Sequence, residues 1–139
     1  MRTINNSSGL YCTEYYGCNT NLRDPLGYLS SPGYPIEFPG CFWRIVTDPG
    51  SVVALRFSME INPWYVQCGY NYVSIIDENA VEQSKIQMCL NSKGWIQTSS
   101  NVMLIVFHGH ILEQDAFVFS GRYNSHSCSN FTWGSRKLP

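Results

Sequence analysis

Between Ser51 and Ile61 apolar and polar positions alternate. Val53, Leu55, Phe57, Met59 and Ile61 fall on one side, and Ala54, Arg56, Ser58 and Glu60 on the other. A period of two is the mark of a half-buried strand. Residues 116–123 repeat the pattern, with Phe117, Phe119 and Tyr123 on one face. Residues 101–108 are almost continuously apolar, which predicts a strand covered on both faces. Shorter strands are predicted at 42–47, 70–77, 85–89 and 95–98. Asn91-Ser92-Lys93-Gly94 reads as the turn between the last two. Asp48-Pro49-Gly50-Ser51 is a turn, because proline pre-sets φ and glycine supplies the reversal. Residues 78–84 read as a hairpin connection, and 62–69 and 109–115 as loops. No segment keeps a helical period, and there is no internal repeat. Strands at this spacing predict an all-β sandwich or barrel.

Composition narrows the setting. The chain has 139 residues, 44% of them hydrophobic, enough for one domain with one core. A formal charge of −1 with 14% charged residues offers no basic face, which excludes a nucleic-acid partner. No apolar run is long enough to span a membrane, so no direct membrane insertion is expected. Residues 1–11 read as a flexible leader without the apolar centre of a signal peptide. If the protein is secreted, its signal has been removed and Met1 was added. Residues 129–139 read as a C-terminal tail or cloning remnant. Six cysteines without a Cys-x-x-Cys pair favour disulfides over zinc, with the pairing left open. Asn5, Asn6 and Asn130 each begin an Asn-x-Ser/Thr sequon, consistent with a secreted glycoprotein.

The run from Gly27 to Trp43 is a different kind of signal. Pro32, Pro35 and Pro39 with Gly33 and Gly40 forbid a helix and push the backbone to extended geometry. Gly27, Leu29, Ser31-Pro32-Gly33-Tyr34-Pro35, Pro39 and Cys41-Phe42-Trp43 together resemble the signature of the CUB domain. Phe57, Cys68-Gly69-Tyr70-Asn71-Tyr72-Val73, Asn101 and Phe107 continue the likeness across residues 18–123. The resemblance implies a jelly-roll-like sandwich of two antiparallel sheets, stapled by disulfides and occupying residues 12–128. It implies the bridges Cys18–Cys41 and Cys68–Cys89, which leaves Cys12 with Cys128. Each bridge stabilises by roughly 3 kcal/mol in the chain-entropy model.

Many CUB domains hold calcium in loops at one end, through three acidic residues. Glu60 matches the first, Asn71 stands at the second and His110 at the third, so two of three carboxylates are absent. Calcium takes six to eight oxygens and depends on ligand charge, and histidine nitrogen is a poor donor to it. No cofactor is therefore expected; Glu60 and Asn71 are the residues that would hold calcium. His108 and His110, two apart, are the alternative donors for zinc. The bland reading is that these side chains hydrogen-bond within the loops.

No nucleophile elbow, phosphate-binding glycine loop or His-Glu-x-x-His occurs, so no enzyme is expected. Trp64 and Tyr65 sit in a loop, where aromatic side chains serve as interface anchors. Trp64 folding back over the sheet edge is the competing reading. Trp43 and Phe57 are expected in the core. The resulting expectation is an extracellular, non-catalytic protein-recognition module of a larger secreted or membrane-anchored protein. Its binding surface comprises Trp64, Tyr65, Glu60, Asn71, His108 and His110, and its partner is an extracellular protein. Two alternatives stand: a glycan-binding jelly-roll module, and a regulatory or targeting module of a multidomain protease.

Overall fold

The computed structural model describes residues 15–16, 19–31, 41–109, 113 and 115–127. Nearly every element is a strand. In chain order they are β1 (Tyr15–Tyr16), β2 (Thr20–Leu22), β3 (Leu26–Ser30), β4 (Cys41–Val46) and β5 (Ser51–Ile61), then β6 (Tyr72–Asp77), β7 (Ser84–Met88), β8 (Ser92–Gln97), β9 (Val102–His108) and β10 (Phe117–Ser127). One turn of 3-10 helix, Pro63–Tyr65, stands between β5 and β6. Two five-stranded sheets result, in the orders β1-β3-β10-β5-β8 and β2-β4-β9-β6-β7. Pairing is antiparallel except at one edge of each sheet, where β1 runs parallel to β3 and β2 parallel to β4. Among the described residues no helix is long and apolar enough to cross a membrane.

β5 and β10 pair over their whole length and form the spine of the first sheet. Their inward side chains, among them Leu55, Phe57, Met59, Phe119 and Tyr123, meet Trp43, Ile45, Met103, Ile105 and Phe107 from the second sheet. The Trp43 and Phe119 rings lie 5.9 Å apart across the interface. Burying one such side chain stabilises by about 1.5–3 kcal/mol. A one-residue slip in register would turn the whole row to solvent, so the alternation of β5 excludes slips by an odd number of residues.

The proline-rich signature begins where β3 ends. Ser31 is buried, and its amide donates to the Phe119 carbonyl at 2.8 Å. Its hydroxyl oxygen accepts from the Phe119 amide at 2.9 Å. The side chain thus prolongs the ladder for one residue before Pro32, which has no N–H to give. Residues 32–40 lie outside the described residues.

Two expectations need correction. The segment read as a turn, Asn91–Gly94, is mostly strand: β8 starts at Ser92, and Gly94 pairs with Phe57. A Cβ on Gly94 would stand 3.7 Å from the Phe57 ring, an ordinary contact, so the glycine is a regular strand position and marks no reversal. β7 and β8 also belong to different sheets, so the chain between them crosses the sandwich. The second correction concerns β9, expected to be covered on both faces. Met103, Ile105 and Phe107 are buried on the inner face, but on the other face only Val102 at the start is buried and Leu104 and Val106 are half-buried.

Candidate functional site

The sequence candidates converge at one end of the sandwich, where β5 leaves the first sheet and β6 and β9 meet in the second. Asn62 organises this end. Its backbone amide donates to the Ala116 carbonyl at 2.8 Å, and its Oδ1 accepts from the Trp64 amide at 2.9 Å. It thereby caps the Pro63–Tyr65 turn, with proline at the start where its missing N–H costs nothing. Tyr65 and Val66 amides close the turn on the Asn62 and Pro63 carbonyls, at 2.8 and 3.2 Å.

The capped turn points its two aromatics in different directions. Trp64 is 88% exposed, so it does not fold back over the sheet edge. Tyr65 packs against the margin of the core, and its hydroxyl donates to Glu113 Oε1 at 2.9 Å. That bond first, then desolvation and the negative charge of Glu113, hold the Tyr65 phenol above its ordinary pKa of 10.0. Asn71, placed among the surface candidates by sequence, is 5% exposed. Its Nδ2 donates to the Tyr65 carbonyl at 2.9 Å and its own amide donates to the Gln67 carbonyl at the same distance. Asn71 braces the loop from beneath and presents no face to a partner.

His108 is also turned to structural work. Its Nδ1 lies 2.7 Å from the Tyr70 carbonyl, and since a carbonyl only accepts, that nitrogen carries the proton. Its ring stacks on Tyr72, its cross-strand partner, at 4.7 Å and 12°. Glu60 is exposed and lines a shallow hollow of about 310 Å³ with Asn62, Pro63, Asn91 and Asp115. His110, Cys12, Cys18, Cys128, Asn5, Asn6 and Asn130 lie outside the described residues.

These donors do not suit a calcium ion. At the matching positions, Glu60 supplies the one carboxylate among the described residues, and Asn71, whose Nδ2 is held on the Tyr65 carbonyl, has only its neutral Oδ1 to offer. No group of three or more His, Cys, Asp or Glu stands together among the described residues. A hard divalent cation needs more oxygen and more charge than this pair offers.

Sequence reasoning missed Glu113 as the partner of Tyr65, since the two are 48 positions apart. It also gave no surface role to Tyr70, which is 62% exposed beyond Val66, itself 38% exposed, on the same loop as Trp64. Cys68 and Cys89 form a disulfide with 5.1 Å between Cα atoms, which ties this loop to the end of β7. Exposed Leu90 thereby joins the same end. Cys41 is disulfide-bonded as well, to a partner outside the described residues. The outcome is three exposed apolar side chains, Trp64, Val66 and Tyr70, on a loop whose polar side chains hold it in shape, with Leu90 next to the disulfide that anchors it.

The comparisons with known proteins agree with this architecture. The model of the CUB domain family matches residues 18–123. The chain is 32% identical over 111 residues to the inactive serine protease PAMR1 of Homo sapiens, covering 72% of this chain and 15% of that protein. In fold it resembles the full extracellular region of zebrafish Gpr126/Adgrg6, with a TM-score of 0.61 and 22% identity over 81% of this chain and 15% of that one. It also resembles the MASP-1 CUB2 domain bound to Ca2+, with a TM-score of 0.58 and 23% identity over 77% of this chain and 99% of that one. The chain thus spans a small part of the curated relative it matches.

Proposed function

The chain belongs to the CUB domain family, and on that premise we propose that it is an extracellular, non-catalytic module that recognises a protein partner. The observation that carries the reading is Trp64, 88% exposed on a turn whose backbone is capped by Asn62 and braced by Asn71. A large aromatic side chain held open on a rigid loop loses little conformational entropy on binding. Val66 and Tyr70 widen the apolar contact around it. Recognition here does not require calcium, because Glu60 and Asn71 offer too little charge and too few oxygens. Sugar stacking on the Trp64–Tyr65 pair is the weaker reading, since Tyr65 turns its ring toward the core margin.

The setting is a larger extracellular protein. Support comes from the disulfide between Cys68 and Cys89, which persists in oxidising compartments, and from the extracellular region whose fold the chain resembles. The likeness to an inactive serine protease, of which the match covers 15%, favours a targeting module beside a protease-like domain as the second reading.

An array of extracellular proteins, read with the wild-type domain and with Trp64→Ala, tests the proposal. The expected result is a partner whose signal falls by about tenfold or more in the variant, as for a central aromatic anchor. Partners indifferent to Trp64→Ala and Tyr70→Ala alike would move recognition away from this loop.

A further inference from the structure

We propose that the outer face of the first sheet carries a separate binding trough for a sulfated polysaccharide. The register assembles it. Arg122 of β10 stands opposite Tyr28 of β3 on one side and Arg56 of β5 on the other, and Arg56 stands opposite Trp95 of β8. Tyr28, Arg122, Arg56 and Trp95 therefore form one row across four strands. All four are exposed, and their chain neighbours Leu29, Tyr123, Leu55 and Phe57 point into the core. Two residues along, Ser120, Ser58 and Lys93 form a parallel row.

Between the rows run two hollows of about 330 and 370 Å³ that share Arg56 and Ser58. Gly121 and Gly94 lie in their floors, between the side chains of the two walls. With strands about 4.8 Å apart, the trough is roughly 14 Å long from β3 to β8.

Its chemistry is one-sided. Arg56, Arg122 and Lys93 line it, and the outward positions of β3, β5, β8 and β10 hold one carboxylate, Glu60, at the far end of β5. The only ion pair among the described residues, Arg44 with Glu78, belongs to the other sheet. Two arginines directly opposed across a strand pair repel one another, and the fold gains nothing from the arrangement. An anion between them relieves the repulsion, and the guanidinium fork matches sulfate oxygens two at a time. The Arg122 guanidinium sits 6.0 Å from the centre of the Tyr28 ring, which orients it while its in-plane N–H donors stay available. Trp95, 58% exposed, offers a flat apolar surface to a sugar ring, and the serines offer hydroxyls.

The direction of the trough selects the polysaccharide over an acidic peptide. A peptide gains affinity on a sheet by pairing with a free edge. This trough runs across strands, and the backbone of β10 and β5 is paired on both sides. A sulfated sugar chain binds through charge, hydroxyls and ring stacking, and needs no backbone partner.

Heparin, immobilised on a sensor surface, is the probe. The expected result is binding that weakens steeply with salt, since counterion release gains less as the bulk concentration rises. Arg56→Gln combined with Arg122→Gln weakens it by about tenfold or more, as two charge-assisted contacts are lost, and Trp95→Ala also weakens it. Trp64→Ala leaves it unchanged, which separates this surface from the loop. If the double variant does not fold, Lys93→Glu at the open edge reads the same trough. Failure of the wild type to bind heparin, or binding indifferent to every trough variant, overturns the assignment. Polyglutamate binding as tight as heparin overturns it too, in favour of an acidic protein segment.

Discussion

The Tyr65 hydroxyl donates a 2.9 Å hydrogen bond to Glu113, joining the turn after β5 to the segment before β10. The link exists only while the phenol keeps its proton. The bond to Glu113 holds the Tyr65 pKa above 10.0, so the folded state binds that proton more tightly than the unfolded chain. Its contribution is complete below the ordinary tyrosine pKa and is lost as pH rises through the folded one. Tyr65→Phe at neutral pH is expected to behave as the wild type does in strong alkali. Amide exchange over residues 62–66 should quicken in both, with the melting temperature little changed. Equal exchange in Tyr65→Phe and wild type at neutral pH would show that Asn62 alone holds the turn.

Asp77 sets the acid side. Partial burial pushes its carboxyl up, but hydrogen bonds from the Ser100 hydroxyl at 2.6 Å and the Ser99 amide and hydroxyl at 2.8 and 2.7 Å outweigh it. The net result lies below the ordinary 3.8. A depressed carboxylate stabilises above its unfolded pKa, and that stability is lost as pH falls through the folded value. Asp77→Asn is expected to cost about 1 kcal/mol near neutrality, discounted for exposure. It should also flatten the loss of stability below about pH 4. Urea melts of both proteins across the acid range measure this. Parallel curves would remove Asp77 from the account.

Arg56 and Arg122 face each other across β5 and β10. Arg56→Gln removes the repulsion while leaving Arg122 over Tyr28, and is expected to raise stability by about 0.2–1 kcal/mol. The gain should shrink as salt screens the pair. Denaturant melts at low and high salt are the measurement, and a salt-independent loss of stability would mean the two side chains do not feel each other.

Metal addition reads the loop end directly. A ligand that binds only the folded state stabilises by about 2.7 kcal/mol at a hundredfold excess over Kd. Thermal melts in EDTA, calcium and zinc are expected to coincide, since Glu60 and Asn71 make a poor oxygen set and no group of three or more His, Cys, Asp or Glu stands together among the described residues. A calcium-dependent rise would mean that further donors, Asp115 of the same hollow first among them, complete a site around Glu60.

Reading the chain alone failed in instructive places. Gly94 is a turn signal when only its neighbours in sequence are considered. Its place in β8 is set by pairing with Phe57 of β5, and glycine occurs in turns and in strands alike. Asn71 resembled a surface ligand because an amide in a loop reads as polar and exposed. Its burial follows from the Tyr65 carbonyl folding back above it. Whether Trp64 covers an edge or stands open depends on room left by other segments, which local pattern does not encode.

What the sequence determined by itself was which residues face inward along each strand. Period-two alternation needs only the geometry of an extended chain, so Leu55, Phe57, Phe119 and Tyr123 were legible as core, and the signature around Ser31 and Trp43 identified the family. Tertiary structure alone decided which strands are neighbours and in what register. That choice set Tyr65 against Glu113, split β7 from β8, and aligned Arg122 with Arg56 and Trp95. The physical reason is that most strand pairing here is non-local: outside the β6–β7 hairpin the paired residues stand far apart in sequence, and the energy that selects their contacts comes from packing two sheets at once.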